Sequence, residues 1–459
     1  MFTTHDDRDI IVVDLGFGDA GKGATVDWLC SPDADLDVAA VVRFNGGAQA
    51  AHNVVVGSRH HTFSQFGSGT FSGKPTVLSR HMLVEPIALA TEARALAARG
   101  VADPLRLVHI DARALLTTPI HVAANRAREE ARGAGRHGSC GKGVGETASY
   151  ALDHPDAPTV GDCRSPAILR AKLHTLEGHY RPLTRGHRIP GIDAMVTMYS
   201  KFAAAVHVTD DVLAPLAQQG RLVFEGAQGV LLDEWRGFHP HTTWSTVEPS
   251  NAHRMLAELG RDSAVLGVTR TYTTRHGAGP HPTEDCARRG LPEPHNGTGR
   301  YQGAFRIGHL DEVLLRYAAE VCGRLDGLAV THLDAIDRAT AAGVPVRMGR
   351  RYTGLGEHLP VGAWRDLDHQ QFLTDILGLV DVEFEQRPDD LLGRSKRSRV
   401  RPWSSPQTVP AGPTDASSRR LSHDRSMQDQ SAVSVDVLAL RFGNLRRAGC
   451  GSVWLRDGG

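Results

Sequence analysis

The chain is poor in cysteine, in net charge and in long apolar runs, and each shortage excludes a class of protein. Its six cysteines (30, 140, 163, 286, 322 and 450) lie far apart in 459 residues, with no C-x-x-C pair. That spacing argues against a disulfide framework or a zinc cluster and fits a reducing, cytoplasmic setting. Fifty-two basic residues balance 52 acidic ones, so no bulk charge draws the chain to nucleic acid or to an anionic membrane. No apolar run reaches the length of a bilayer span. Residues 1–9 are polar and acidic, without the basic start and apolar stretch of a secretory leader. The 24 histidines sit mostly among polar loop residues and read, nearly all of them, as surface or supporting groups.

Glycine is what the chain has in quantity, 49 residues, and many follow short apolar runs. The first such place organises the rest. A β-branched run at 10–13 leads into Gly16-Phe17-Gly18-Asp19-Ala20-Gly21-Lys22-Gly23, and a helix-compatible segment follows at 24–29. Strand, glycine turn, lysine and helix make a P-loop, in which backbone N–H groups and the helix N-terminus cradle phosphate oxygens. The pattern G-x-x-x-x-G-K-[ST] is met except at its last position, where Gly23 replaces the hydroxyl that usually meets Mg²⁺. Asp19 inside the loop is the alternative oxygen ligand for a hard cation.

Further strands are expected at 38–44, 76–79, 105–110, 222–224, 264–268 and 328–331, a hairpin around 54–63, and a helix over 84–99 with Pro86 in its first turn. The alternation predicts an α/β fold with a mostly parallel central sheet and helices on both faces. Five strand ends carry small residues beside one or two polar side chains, which points to a single crevice at the carboxyl edge of the sheet. Past residue 393 the composition turns Ser-, Arg- and Pro-rich. The expected division is a catalytic domain at 1–393 and an atypical segment at 394–459.

Taken in order, five stretches resemble the adenylosuccinate synthetase family. Gly18-Asp19-Ala20-Gly21-Lys22-Gly23 is similar to its G-D-E-G-K-G loop, and Asn45-Gly46-Gly47 through Ala51-His52 to its loop with the catalytic histidine. Glu225-Gly226-Ala227-Gln228-Gly229 matches E-G-A-Q-G. The stretch Thr274-Arg275-His276-Gly277-Ala278-Gly279-Pro280-His281-Pro282-Thr283-Glu284 resembles T-R-V-G-A-G-P-F-P-T-E, differing little. Thr331-His332-Leu333-Asp334 is similar to T-K-L-D. The resemblance covers roughly residues 9–340.

It implies a P-loop-NTPase-like domain with long loop insertions, a homodimer, and a C–N ligase working on small molecules. The 6-oxo group of IMP or a related purine nucleotide would be phosphorylated by GTP and displaced by L-aspartate. Asp19 would take the N1 proton and ligate Mg²⁺, with the Ala51 backbone carbonyl as second protein ligand. His52 would donate to the transferring phosphoryl. Gly18, Gly21, Lys22, Gly23 and His52 would hold the GTP phosphates. Asp334 would read guanine, and a turn at 411–414 with Gly412 and Pro413 would close that pocket. Gln49, Cys140, Gln228, Thr243 and Gly277 would meet the purine nucleotide, and Thr298, Arg300 and Arg306 the amino acid.

The sequence departs from the family where the substrates are told apart. Gln49 stands for the usual asparagine and Cys140 for threonine, a poorer hydrogen-bonding partner. No arginine is in register near His154, where the family sends one into the neighbouring subunit. The amino-acid loop keeps only Arg300 and Arg306 of several consecutive arginines. A paralogue taking another purine-like nucleotide or another amine is the alternative, and a nucleotide-binding protein without catalysis the second.

Overall fold

The β-branched runs become strands because they are buried on both faces. In the computed structural model, which describes residues 7–386 apart from 136–137, 291–292, 294–295 and 300, all six residues of β1 (Asp9–Asp14) are buried. The segment 394–459, with Gly412 and Pro413, and also Arg300, lie outside the described residues.

After β1 come β2 (Val38–Arg43), the hairpin β3 (His52–Val56) and β4 (Arg59–Phe63), β5 (Thr76–Leu78), β6 (Leu83–Val84), β7 (Val108–Asp111) and β8 (Leu115–Leu116). Then follow β9 (His207–Thr209), β10 (Arg221–Glu225), β11 (Ser263–Arg270), β12 (Tyr272–His276) and β13 (Phe305–Asp311). β14 (Gly327–Thr331), β15 (Arg347–Tyr352) and β16 (Val382–Gln386) complete the series. Among the described residues eight strands form the central sheet in the order β14-β11-β1-β10-β2-β5-β7-β9, every pair parallel. A smaller sheet, β12-β13-β15-β16, is mixed.

Alternation along β1 places helices on both faces. Ile10 and Val12 pack with Val26 and Leu29 of helix α1 (Lys22–Cys30). Ile11 and Val13 face the other way, into a core with Met255, Leu256, Val313 and Tyr317. Full burial of each such aliphatic side chain stabilises the fold by roughly 1.5–3 kcal/mol. A separate core is built by helices Pro86–Ala97, Pro166–Tyr180 and Ile192–Ala205 around Leu89, Leu173 and Met195. Among the described residues no helix is long and apolar enough to cross a membrane.

Two expected elements shift for local reasons. The run at 105–110 is strand only from Val108, because Pro104 and the left-handed Asp103 (φ 39°) start a 3₁₀ turn over Pro104–Leu107. The helix expected from 84 begins at Pro86. Glu85 caps it by accepting from the N–H groups of Ile87 (3.0 Å) and Ala88 (2.6 Å), and Leu83 and Val84 instead pair with β8.

Candidate active site

The five flagged strand ends belong to β14, β11, β1, β10 and β2, which are consecutive neighbours in the sheet. Their carboxyl ends converge on the loop at 16–23. There Asp14, the last residue of β1, accepts the N–H of Gly16 on Oδ1 and that of Ala20 on Oδ2, both at 2.8 Å. Lys22 Nζ donates to Asp14 Oδ2 at 2.9 Å and to the Gln228 carbonyl at 2.7 Å. A Cβ on Gly23 would lie 2.8 Å from His52 Cβ. The missing Walker hydroxyl thus has a steric cause, the approach of the His52 strand to the loop.

His52, buried, pairs through Nδ1 with Glu225 Oε1 at 2.6 Å. Ser68 completes the carboxylate, its hydroxyl donating to Oε1 at 2.5 Å and its N–H to Oε2 at 2.9 Å. Burial alone would raise the Glu225 pKa, but His52 and the fully buried Arg43 overcome it and hold it at about 2. Glu225 is therefore ionised and fixes the His52 proton on Nδ1. Burial lowers the His52 pKa against the pull of Glu225, which leaves the ring neutral.

Asp19 is left-handed (φ 59°) and accepts from His276 Nε2 at 3.0 Å. Burial pushes its carboxyl up, but the His276 contact and the Arg270 and Lys22 charges outweigh that and leave it below the ordinary value. Beside the loop, a Cβ on Gly46 would lie 3.2 Å from Gln228 Oε1 and 3.3 Å from Gln49 Nε2. Both ends of the Gln49 amide and Gln228 Oε1 are buried without a hydrogen-bond partner. With no partner inside the chain, these amide atoms are free to bond a polar ligand or water.

The remaining expected residues surround this centre. Cys140 is half-buried, with burial raising its thiol. Its loop rests against the segment around Tyr301, since a Cβ on Gly141 would meet the Tyr301 ring at 2.9 Å. Thr243 is half-buried, its N–H on the Leu232 carbonyl at 2.8 Å, and its neighbour Trp244 covers Gly145. Gly277 is left-handed (φ 73°), and a Cβ there would lie 2.5 Å from the Gln302 carbonyl. Thr298 is exposed, next to a tight turn in which Gly299 and Gly303 exchange backbone hydrogen bonds. Arg306 is already engaged: it bonds Glu284 Oε2 at 2.8 and 2.6 Å and the carbonyls of Gly277 and Gly279 at 3.2 and 2.8 Å. Asp334 opens helix Asp334–Ala341, with Oδ2 paired to Arg338 and Oδ1 buried without a partner. Thr331 ties that strand end to the phosphate loop through the Ala20 carbonyl at 2.6 Å.

Asp14, Ser68, Arg43 and His276 were not singled out from sequence. Asp14 carried a usable signal as a lone carboxylate ending an apolar strand before a glycine loop. Ser68 and Arg43 reach the centre only through the fold. Five histidines, His52, His61, His121, His281 and His309, are buried. Among the described residues no three His, Cys, Asp or Glu side chains gather as a metal cluster. The two expected ligands, the Asp19 carboxylate and the carbonyl of exposed Ala51, are hard oxygen donors of the kind Mg²⁺ takes.

The family model for adenylosuccinate synthetase matches residues 11–371. Among solved structures, a fully ligated adenylosuccinate synthetase from Plasmodium falciparum is similar at 20% identity and TM-score 0.69, over 82% of this chain and 87% of that one. The cyanophage S-2L succinoaminodeoxyadenylate synthetase PurZ, bound to dGMP and dATP as an energy donor, is also 20% identical, with TM-score 0.50 over 80% of this chain and 98% of that one. At such identities the likeness to solved structures is one of fold, while the family match spans most of the chain. The chain belongs to the adenylosuccinate synthetase family, a family of ligases.

Proposed function

We propose that the chain is a GTP-dependent ligase that phosphorylates the 6-oxo group of IMP, or of a related purine nucleotide, and couples the base to L-aspartate, releasing GDP and phosphate. The observation that carries this reading is the joining of two unlike devices at one crevice. A lysine-bearing glycine loop suited to phosphates sits beside two buried amides, of Gln49 and Gln228, suited to a base. A purine oxo group leaves poorly, so a phosphoryl placed on O6 gives the amine a group it can displace.

Asp19 removes the N1 proton, which makes O6 nucleophilic. Lys22 exchanges its bonds to Asp14 and the Gln228 carbonyl for phosphate oxygens. Glu225 keeps a proton on His52 Nδ1, so the protonated ring presents Nε2–H to the transferring phosphoryl. The negative charge arriving there offsets the burial that keeps the ring neutral without ligand. Mg²⁺, held by Asp19 and the Ala51 carbonyl, would neutralise charge on the phosphates. Asp334 accepts guanine N–H groups, its unpartnered Oδ1 being available for one of them. A homodimer in the cytoplasm belongs to the same reading.

The PurZ structure, with its dGMP and dATP, shows that a protein of this fold can hold other nucleotides. That favours a second reading, the same chemistry on a different purine or amine, and the engagement of Arg306 by Glu284 favours it too. GDP release with IMP or GMP and each of a panel of amino acids separates the two. Release with aspartate and IMP supports the first, release with other amines but not aspartate overturns it, and no nucleotide turnover with any pair overturns both.

A further inference from the structure

The residue that touches the Asp19 carboxylate stands where the family pattern has an apolar side chain. His276 ends β12, opposite Phe305 of β13. The two rings pack with centroids 4.9 Å apart and planes tilted by 53°. That contact holds the imidazole with Nε2 at 3.0 Å from Asp19 Oδ2. Among the described residues Oδ1 carries no hydrogen bond. Asp19 itself sits at φ 59° between Gly18 (φ 97°) and Ala20, whose N–H and carbonyl are tied to Asp14 and Thr331, so the loop backbone is held and His276 acts on the carboxylate it carries.

We infer that His276 is a positioning residue for the base: it holds Oδ2 through Nε2–H and so aims Oδ1 of the same carboxylate at the purine N1 proton. Even on a held backbone, a carboxylate has a rotamer to fix before it can accept a proton in line, and misplacement by an ångström is costly. A valine at 276 packs against Phe305 but offers no donor. Phe305 directly precedes Arg306 and follows the 296–304 stretch, so the same ring links the base to the strand that leaves the amino-acid loop. The assignment rests on Asp19 being the base of the proposed reaction.

The test uses the full chain with GTP, the purine nucleotide and amine found active, and His276→Val, His276→Gln and His276→Asn. Loss of one charge-assisted hydrogen bond that orients the base predicts a fall in kcat of about tenfold or more in the valine variant. KM for both nucleotides should stay within about twofold. Glutamine, whose amide reaches as far as Nε2, should restore most of kcat, and asparagine, one methylene shorter, should not. Should the valine variant fail to fold, the contrast between glutamine and asparagine reads the same distance dependence. Unchanged kcat in His276→Val, a change confined to KM, or equal behaviour of glutamine and asparagine would each show that the ring merely packs, and would overturn the proposal. A wild-type chain that turns over no purine nucleotide would instead overturn the reaction itself, and this assignment with it.

Discussion

At the phosphate loop, Lys22 donates to Asp14 and to the Gln228 carbonyl, and both Asp14 oxygens also accept backbone N–H groups. At the neighbouring strand ends, Gln49 has neither end of its buried amide paired, and Gln228 Oε1 is equally alone. The two halves of one crevice are prepared for ligands in opposite ways. Internal partners hold the loop without a ligand, and in the proposed reaction they are exchanged for phosphate oxygens, so ligand-free folding is not penalised. The amides carry a desolvation cost of roughly 1–3 kcal/mol each until a ligand satisfies them. In the proposed reaction, phosphate binding is thus built on exchange, and base recognition on need.

Breaking the exchange side should give the largest effect. Lys22→Met removes the phosphate-facing cation and leaves the Asp14 charge buried without its ion pair. Steady-state kinetics should show kcat/KM down by about 10³-fold or more, and chemical denaturation a stability loss of about 3 kcal/mol. A loss of activity below tenfold would mean that Lys22 serves Asp14 rather than the phosphates.

The Glu225 anchor comes next. Glu225→Gln should lower kcat by about 10²-fold, with a smaller change in nucleotide KM. Its folded pKa of about 2 lies below the ordinary carboxylate value. The ionised carboxylate, hydrogen-bonded by His52 and Ser68 and close to the Arg43 charge, therefore stabilises the fold above about pH 4.3, and that contribution drains away as pH falls toward 2. Acid unfolding followed by circular dichroism should be flatter over that window in the glutamine variant. Identical acid profiles would show that the carboxylate contributes nothing to the fold.

The need side should respond with the smallest change and with opposite signs. Gln49→Leu removes an unpartnered buried amide, so thermal denaturation should show a gain of about 1 kcal/mol, while the purine-nucleotide KM rises about tenfold. A loss of stability would show that Gln49 is part of the fold rather than of the recognition surface.

Much of this architecture was legible before any coordinates. Residues 10–13 announced a strand, and the glycines around Lys22 announced the turn from that strand into a helix, because backbone geometry and residue type are coupled over a few positions. The partners of those residues were not legible, since they lie far along the chain. Ser68 reaches Glu225 and Arg43 lies near both only after β2 and β10 pair. His276 reads as an ordinary substitution until β12 turns it toward Asp19. The Gly23 anomaly was visible as an absence, but its cause, the His52 backbone beside it, is a packing fact. Arg306 shows the converse. Charge and spacing nominate it as a carboxylate clamp, whereas Glu284, 22 residues upstream, already holds its guanidinium.

The central claim is that a phosphoryl group is placed on the purine 6-oxo oxygen before the amine arrives. Its most direct test is turnover of a purine nucleotide labelled with ¹⁸O at position 6, with the released phosphate analysed by mass spectrometry. The account predicts that the label leaves in inorganic phosphate, one ¹⁸O per product formed. Phosphate free of ¹⁸O, at a measurable rate of product formation, would contradict it.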